Sequence, residues 1–308
     1  MICQNMLKNK IIVVDFSYFV HQSIFSRNSA LQRKDELSKI SPSQASQMFV
    51  PPATYTSMSS IIGTLKKVGI NEELGDVIIL ALDSPNSWRK DFQRTYKANR
   101  KEQREQAQYV DWSKEYEAQN KLLDKIDNGL PIWLVRGERL EADDVIATIT
   151  RYFKDNEVVI ISPDKDFIQL MIYDNVRIFN CHPKAKNNPY RILDLDREKE
   201  KEKAYKELMT KIRKETSDNL VSEVLTEQDY DDRKKCVSLL ELPDFVLDRL
   251  ELQLDTISKT EKICFHPEAF SKGIQKKLVG FFDQDKVISY DYCRKKLERK
   301  LKRKAKKV

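Results

Sequence analysis

Three short apolar runs, each ended by polar or turn residues, punctuate the first half of the chain: "KIIVVD" at 10–15, "DVIILALD" at 76–83 and "EVVIISPD" at 157–164. Their β-branched character and length predict buried strands, and "PIWLV" at 131–135 predicts a fourth. Between them apolar residues recur at helical spacing, in "ATYTSMSSIIGTLKKVG" (53–69), "EYEAQNKLLDKI" (115–126) and "EADDVIATITRYF" (141–153). Strands alternating with helices predict an α/β fold with a mostly parallel twisted sheet flanked by helices. After "NVRIFNCHPKAKNNPY" (175–190) the pattern changes to charged helical sequence, which places a boundary near residue 188. The expected division is an α/β domain over 1–188, a helical C-terminal domain over 189–290 and a basic tail over 291–308. Val237, Leu239, Leu240, Leu242, Phe245, Val246 and Leu250 are the expected core of the second part. The run "REKEKEK" reads as a solvated helix face.

Composition narrows the class. The chain has 308 residues, 40% hydrophobic and 33% charged, enough for one large domain or two modest ones. Its mean hydropathy of −0.60 fits a soluble folded protein. The net charge of +7 is uneven, with ten Lys or Arg among the last fifteen residues, and this suggests a polyanionic partner. Five scattered cysteines without a CxxC pair point to a reducing compartment rather than a zinc or disulfide scaffold. No membrane-spanning apolar run or signal segment is evident, so a cytoplasmic protein is expected, in the host cytoplasm if the chain is phage-encoded.

The candidate chemistry lies in the acids. The three clear strands end on Asp15, Asp83 and Asp164, with Asp166 two residues beyond. Carboxyl ends of parallel strands border the ligand crevice of such sheets. Glu141, Asp143 and Asp144 open a helix whose N-terminus should meet the same crevice. Taken singly, each acid would read as a turn, a cap or a dipole partner. Together, seven carboxylates in one crevice would repel by roughly 4 kcal/mol per pair at about 4 Å and an effective dielectric of about 20. Two Mg²⁺ ions would make such a set tolerable, with Mn²⁺ able to substitute, because these are hard cations that favour oxygen ligands. Paired ions of this kind serve in-line displacement at phosphorus, which points to a phosphodiesterase.

Directly after Asp83, in "SPNSWRKDFQRTYKANRKEQREQAQ", Lys90, Arg94, Lys97, Lys101 and Arg104 recur at spacings of three and four. This predicts a cationic stripe along a helix, a basic arch around 86–108, with Trp88, Phe92 and Tyr96 available to pack or to stack on bases. The ordered series "VVDFSYF", "LALDSPNSWRKDFQRTYKANR", "EADDVIA" and "SPDKDF" resembles the flap endonuclease, or 5′ nuclease, superfamily, and within it the ribonucleases H of T-even bacteriophages. The stretch "EVLTEQDYDDRKKCVSLLELPDF" (223–245) extends that likeness into the helical part.

The resemblance implies a PIN-like 5′ nuclease core and a metal-dependent 5′-to-3′ exonuclease or flap endonuclease that removes RNA primers during DNA replication. It implies Asp15, Asp83, Glu141, Asp143, Asp144, Asp164 and Asp166 as the acids that hold the metals, directly or through water, and Arg89 and Lys97 as contacts to the scissile phosphate. Lys90, Arg94, Tyr96, Arg100, Lys101 and Arg104 are implied as nucleic-acid contacts. The expected partners are DNA and RNA–DNA hybrids, with a single-strand-binding protein or a sliding clamp as further candidates; a monomer without membrane association is expected. The chain departs from the family pattern after Asp166, where a Gly-Asp…Asp-Asn helix–loop–helix segment is missing; the nearest fragment, "TSDNLV" (216–221), offers Asp218 and Asn219. That departure raises a second reading, a catalytically impaired binder of branched nucleic acid. A PIN-type ribonuclease is a third, disfavoured by the arch and the chain length.

Overall fold

The computed structural model describes residues 9–32, 41, 53–70, 75–94, 96–98, 100, 104, 105, 107, 110–182, 197–213 and 226–282. The expected boundary near 188, Lys101, Asp218, Asn219 and the tail over 291–308 lie outside the described residues.

Five parallel strands form one sheet in the order β3-β2-β1-β4-β5: β1 (Lys10–Asp15), β2 (Val77–Ala81), β3 (Ile132–Val135), β4 (Glu157–Ile161) and β5 (Val176–Phe179). The first four are the strands the apolar runs predict. The fifth, "VRIF", is not anticipated, because a four-residue run interrupted by Arg177 carries too little pattern; at the sheet edge Arg177 reaches Glu157 at 3.1 Å. Ile11, Ile12, Val13 and Val14 are all at most 1% exposed, as expected of a central strand covered on both faces.

Helices cover each face. On one, α1 (Phe16–Gln32), α2 (Ala53–Val68) and α3 (Trp112–Gly129) pack against the even-numbered residues Ile12, Val14, Ile78 and Leu80. On the other, α4 (Ala142–Tyr152) and the 3₁₀ segment Asp166–Ile172 pack against Ile11, Val13, Ile79 and Ile160. The strand period of two sends neighbouring residues into opposite layers.

The C-terminal helices α5 (Arg197–Arg213), α6 (Glu227–Val237), α7 (Asp244–Lys259) and α8 (Lys272–Val279) correct one expectation. Leu239, Val246 and Leu250 do not form a separate core. They join Leu254 and Ile257 in the layer that holds α4, while Phe270, Ile274, Leu278 and Phe282 join the opposite layer with α1 and α2. Between the two groups the chain passes the β3 edge, where Lys262 Nζ donates to the Ile132 carbonyl at 2.9 Å. Gly137 marks a close approach at this seam: a Cβ there would stand 2.4 Å from Leu140 Cδ1 and 3.3 Å from Leu250 Cδ2.

The predicted helix of the basic arch does not run over the whole segment; among the described residues of 86–108 only Arg100, Arg104 and Glu105 are α-helical. Trp88–Asp91 is a short 3₁₀ turn, with Ser87 Oγ accepting from Arg89 N–H, and Lys97 has a left-handed backbone at φ 55°. A residue in that conformation interrupts α-helix. No helix among the described residues is long and apolar enough to cross a membrane.

The shared core gives an expected outcome. Leu250→Ala removes a fully buried side chain between α7 and the sheet and should cost about 2–5 kcal/mol. Thermal melts followed by far-UV circular dichroism and by tryptophan fluorescence should both move down as one transition. Loss of helix signal at a lower temperature, with the sheet transition unmoved, would show that the C-terminal helices fold separately.

Candidate functional site

The strand order reverses between β1 and β4: the chain builds outward through β2 and β3, then returns to the far side of β1. Ligand crevices of open parallel sheets lie at such a switch, outside the carboxyl ends of the strands. There the structure has an open cleft of about 990 Å³ that brings together Asp15, Asp83, Asp143, Asp164 and Asp166. Each is placed by its strand or helix end. Asp15 is the last residue of β1; its Oδ2 accepts from Ser162 Oγ at 2.9 Å, across the switch, and its Oδ1 from Tyr18 N–H at 3.2 Å. Asp83 follows β2, accepting from Ser17 Oγ at 2.6 Å and from the Ala142 N–H at 2.7 Å. Asp83 therefore closes one of the free N–H groups at the start of α4, across 59 residues of sequence. Asp164 Oδ1 accepts from the Asp166 N–H at 2.9 Å, which turns the chain into the 3₁₀ segment.

The charge is crowded. Burial, with Asp83 and Asp164 adding repulsion, pushes the Asp15 carboxyl up to about 7. Burial also raises Asp143 well above the usual carboxylate range, Asp164, Glu141 and Asp15 reinforcing it against the pull of Lys97. Burial and mutual repulsion disfavour the charged forms of these two acids, and their hard oxygen donors suit a divalent cation such as Mg²⁺ or Mn²⁺. The carboxylates border the cleft rather than closing into a cage: among the described residues no three His, Cys, Asp or Glu side chains converge on a single ion position.

Two of the seven expected ligands are elsewhere. Asp144 is fully buried, and its oxygens take Arg89 Nη2 at 2.7 Å, Arg89 Nη1 at 2.8 Å, Trp88 Nε1 at 3.1 Å and the Glu141 N–H at 2.9 Å. Glu141 accepts from Lys97 Nζ at 2.8 Å, Tyr96 Oη at 2.9 Å and Arg89 Nη1 at 3.2 Å. Burial opposes the Glu141 charge, yet Lys97 and Arg89 hold its carboxyl below the ordinary range. Both acids are anchors of the basic segment; for Asp144, which is fully buried, the expected role at a metal is corrected accordingly.

The same geometry corrects two basic-arch roles. Arg89 is 1% exposed and also donates Nε to the Cys236 carbonyl at 2.8 Å, so its guanidinium serves the interior and is out of reach of a phosphate. Burial opposes its charge, but Asp144 and Glu141 raise its pKa further. Tyr96 is 5% exposed, with Lys97 Nζ 5.0 Å from its ring centroid and the Arg89 guanidinium 6.0 Å away, and it has no free face for a base. Trp88 is equally buried, edge-on to Phe92 and Phe245. Lys90 and Arg94 are exposed but do not line the cleft. Lys97, Arg100 and Arg104 do line it, together with the carboxylates. Burial disfavours the Lys97 ammonium, but Glu141 and Asp143 keep its pKa above the ordinary value.

Sequence reasoning passes over Ser17 and Ser162, which orient two of the acids. Each bonds an aspartate far away in sequence, Ser17 to Asp83 and Ser162 to Asp15, so no local spacing announces them. It also passes over His21, whose imidazole pKa is lowered by burial, with Arg104 and Arg100 adding to it and Asp83 opposing. The largest omission is α5, read as a solvated face: Lys203, Lys206, Thr210 and Lys211 line the cleft.

A family model described as the 5′-3′ exonuclease N-terminal resolvase-like domain matches residues 10–208, and the chain belongs to this family. The ribonuclease H of Enterobacteria phage T4 is 36% identical over 104 residues, 32% of this chain and 34% of that protein. A 5′-3′ exonuclease of Mycoplasmopsis pulmonis is 29% identical over 163 residues, 53% of this chain and 45% of that protein. The chain thus spans about a third and just under half of the length of these two relatives. A crystal structure of a phage T5 protein co-crystallised with metal ions is 16% identical, with a TM-score of 0.48 over 94% of this chain and 99% of that one.

Two outcomes are expected of these side chains. Arg89→Ala leaves Asp144 buried without its partner and should destabilise the fold by about 3–5 kcal/mol, read in urea unfolding; a loss of unfolding free energy of less than about 1 kcal/mol would show that the pair is not structural. In Asp15 the folded-state carboxyl titrates near 7 against 3.8 for the free group, so its stabilising contribution is complete below about pH 4 and disappears as pH rises through 7. With divalent ions chelated, Asp15→Asn should therefore be more stable than the parent at pH 8, on the order of 2 kcal/mol, and the advantage should shrink by pH 5. An offset independent of pH would contradict the charge-crowding account.

Proposed function

We propose that the protein is a divalent-metal-dependent 5′ nuclease that hydrolyses phosphodiesters at 5′ ends or flaps of DNA and of RNA–DNA hybrids. The carrying observation is the juxtaposition, in one cleft at the sheet switch, of four mutually repelling carboxylates, Asp15, Asp83, Asp143 and Asp164, with the bases Lys97, Arg100 and Arg104. A binding protein for polyanions has use for the bases but none for the acids. Stability alone disfavours them. Removal of RNA primers is the cellular task in best accord with the likeness to a ribonuclease H and to a 5′-3′ exonuclease.

Asp15, Asp83, Asp143 and Asp164 would hold the cations, and such ions, when bound, activate water and neutralise charge on the phosphate undergoing displacement. The remaining work belongs to the chain. Ser17 and Ser162 fix the rotamers of Asp83 and Asp15, and the Ala142 N–H holds the second oxygen of Asp83. Lys97, kept charged and pinned by Glu141, presents an ammonium to a non-bridging phosphate oxygen, where negative charge grows during the reaction. Arg100 and Arg104 draw the backbone of the entering strand into the cleft by contacts that salt weakens.

A non-cleaving junction binder is favoured by one observation, the diversion of Glu141 and Asp144 to Arg89 and Lys97. Degradation of a 5′-labelled RNA–DNA hybrid and of a 5′ flap separates the two. Cleavage is expected with Mg²⁺ or Mn²⁺ and not with EDTA, and Asp143→Asn should lower turnover by about 10²-fold or more. Turnover in EDTA, or an Asp143→Asn enzyme as fast as the parent, would refute the metal-dependent reading. Salt-sensitive junction binding without cleavage at any metal concentration would establish the binder.

A further inference from the structure

Helix α5 contributes to the cleft in a way that its composition conceals. Leu208 and Ile212, four residues apart, are buried and seat the helix on the 3₁₀ segment that begins at Asp166. Helix α6 fixes it from behind, where Arg233 Nη1 donates to the Ile212 carbonyl at 3.2 Å and Tyr230 Oη to Met209 Sδ at 3.6 Å. With those contacts made, Lys203, Lys206 and Lys211 face the carboxylates, and the Lys211 ammonium is ion-paired with Asp166 Oδ1. Lys206 is paired along its own helix with Glu202 at 2.6 Å, whereas Lys211 reaches across to the site. The positive charge beside Asp166 is thus covalently part of the chain and held on a packed helix.

We propose that Lys211 is a built-in counter-cation of the cleft, occupying the Asp166 side of the carboxylate set and competing there with a divalent ion. An ammonium and a divalent cation seek the same oxygen and repel one another, so the two exclude each other at Asp166. The consequence is a cleft whose Asp15, Asp83, Asp143 and Asp164 side takes a divalent ion readily and whose Asp166 side takes one weakly. The proposal rests on the metal-dependent reading above and concerns this chain's own residue.

Binding of Mn²⁺ alone to the full chain, followed by loss of the six-line aqueous Mn²⁺ signal in electron paramagnetic resonance, tests it without reference to catalysis. Lys211→Met keeps the aliphatic stem while removing the charge. It should tighten the weaker Mn²⁺ association about five- to tenfold, the size expected for removing a half-exposed competing charge, or add one ion to the stoichiometry. In an Asp166→Asn background the same substitution should change nothing. Equal Mn²⁺ binding by the parent and Lys211→Met, or a tightening that persists in Asp166→Asn, would overturn the role of Lys211 while leaving the metal-dependent reading intact. Failure of both the parent and Lys211→Met to bind Mn²⁺ at millimolar concentration would overturn both.

Discussion

The buried ion pair of Arg89 and Asp144 fixes the geometry from which the site follows. Two charges withdrawn from water are stable only when donors and acceptors saturate each other, and here the guanidinium is shared among Asp144, Glu141 and the Cys236 carbonyl. The pair therefore ties together the segment after β2, the N-terminus of α4 and the end of α6. It also sets the rotation of α4. With Asp144 locked inward, the preceding residue lies about 100° around the helix axis, which turns Asp143 to the cleft. One acid is sacrificed to the interior and its neighbour is aimed by it.

Around that anchor the structure tolerates an arrangement that folding alone would disperse. Asp15 and Asp83 are held side by side by serine hydroxyls and a helix N–H, donors strong enough to orient carboxylates and too weak to cancel their repulsion. Elevated acid titration in a cleft is a common mark of functional groups. Lys97, Arg100 and Arg104 line the same cleft, so it presents both signs of charge. A phosphodiester, anionic at its oxygens and in need of cations at its reacting centre, matches both.

Aspartates at or just past the strand ends were readable in the sequence because a parallel strand dictates where its carboxyl end goes; Asp15 ends β1, and Asp83 and Asp164 follow β2 and β4 within three residues. The first turn of α4 was different. Glu141, Asp143 and Asp144 lie close together in sequence, and which of them faces inward depends on Trp88 and Arg89 arriving from more than fifty residues away. Arg89 was misread for a related reason: the resemblance assigns it to the scissile phosphate, and nothing local reveals that its guanidinium is anchored beside a buried tryptophan. The lysines of α5 were hidden by low complexity, since a charge run has no preferred face until Leu208 and Ile212 find theirs. Strand β5, with one arginine in four residues, had too weak a pattern to announce itself.

The two helical groups after residue 240 seal opposite sides of the sheet, Val246 to Ile257 on one and Phe270 to Phe282 on the other. During translation, neither face is fully covered until this stretch has left the ribosome. Domains tend to fold as units once their whole sequence is available, so the sheet that carries the acid-lined cleft is completed only after Phe282 has been made. A premature stop between residues 166 and 240 would release a chain carrying Asp15, Asp83, Asp143, Asp164 and Asp166 on a sheet that lacks these two covering groups.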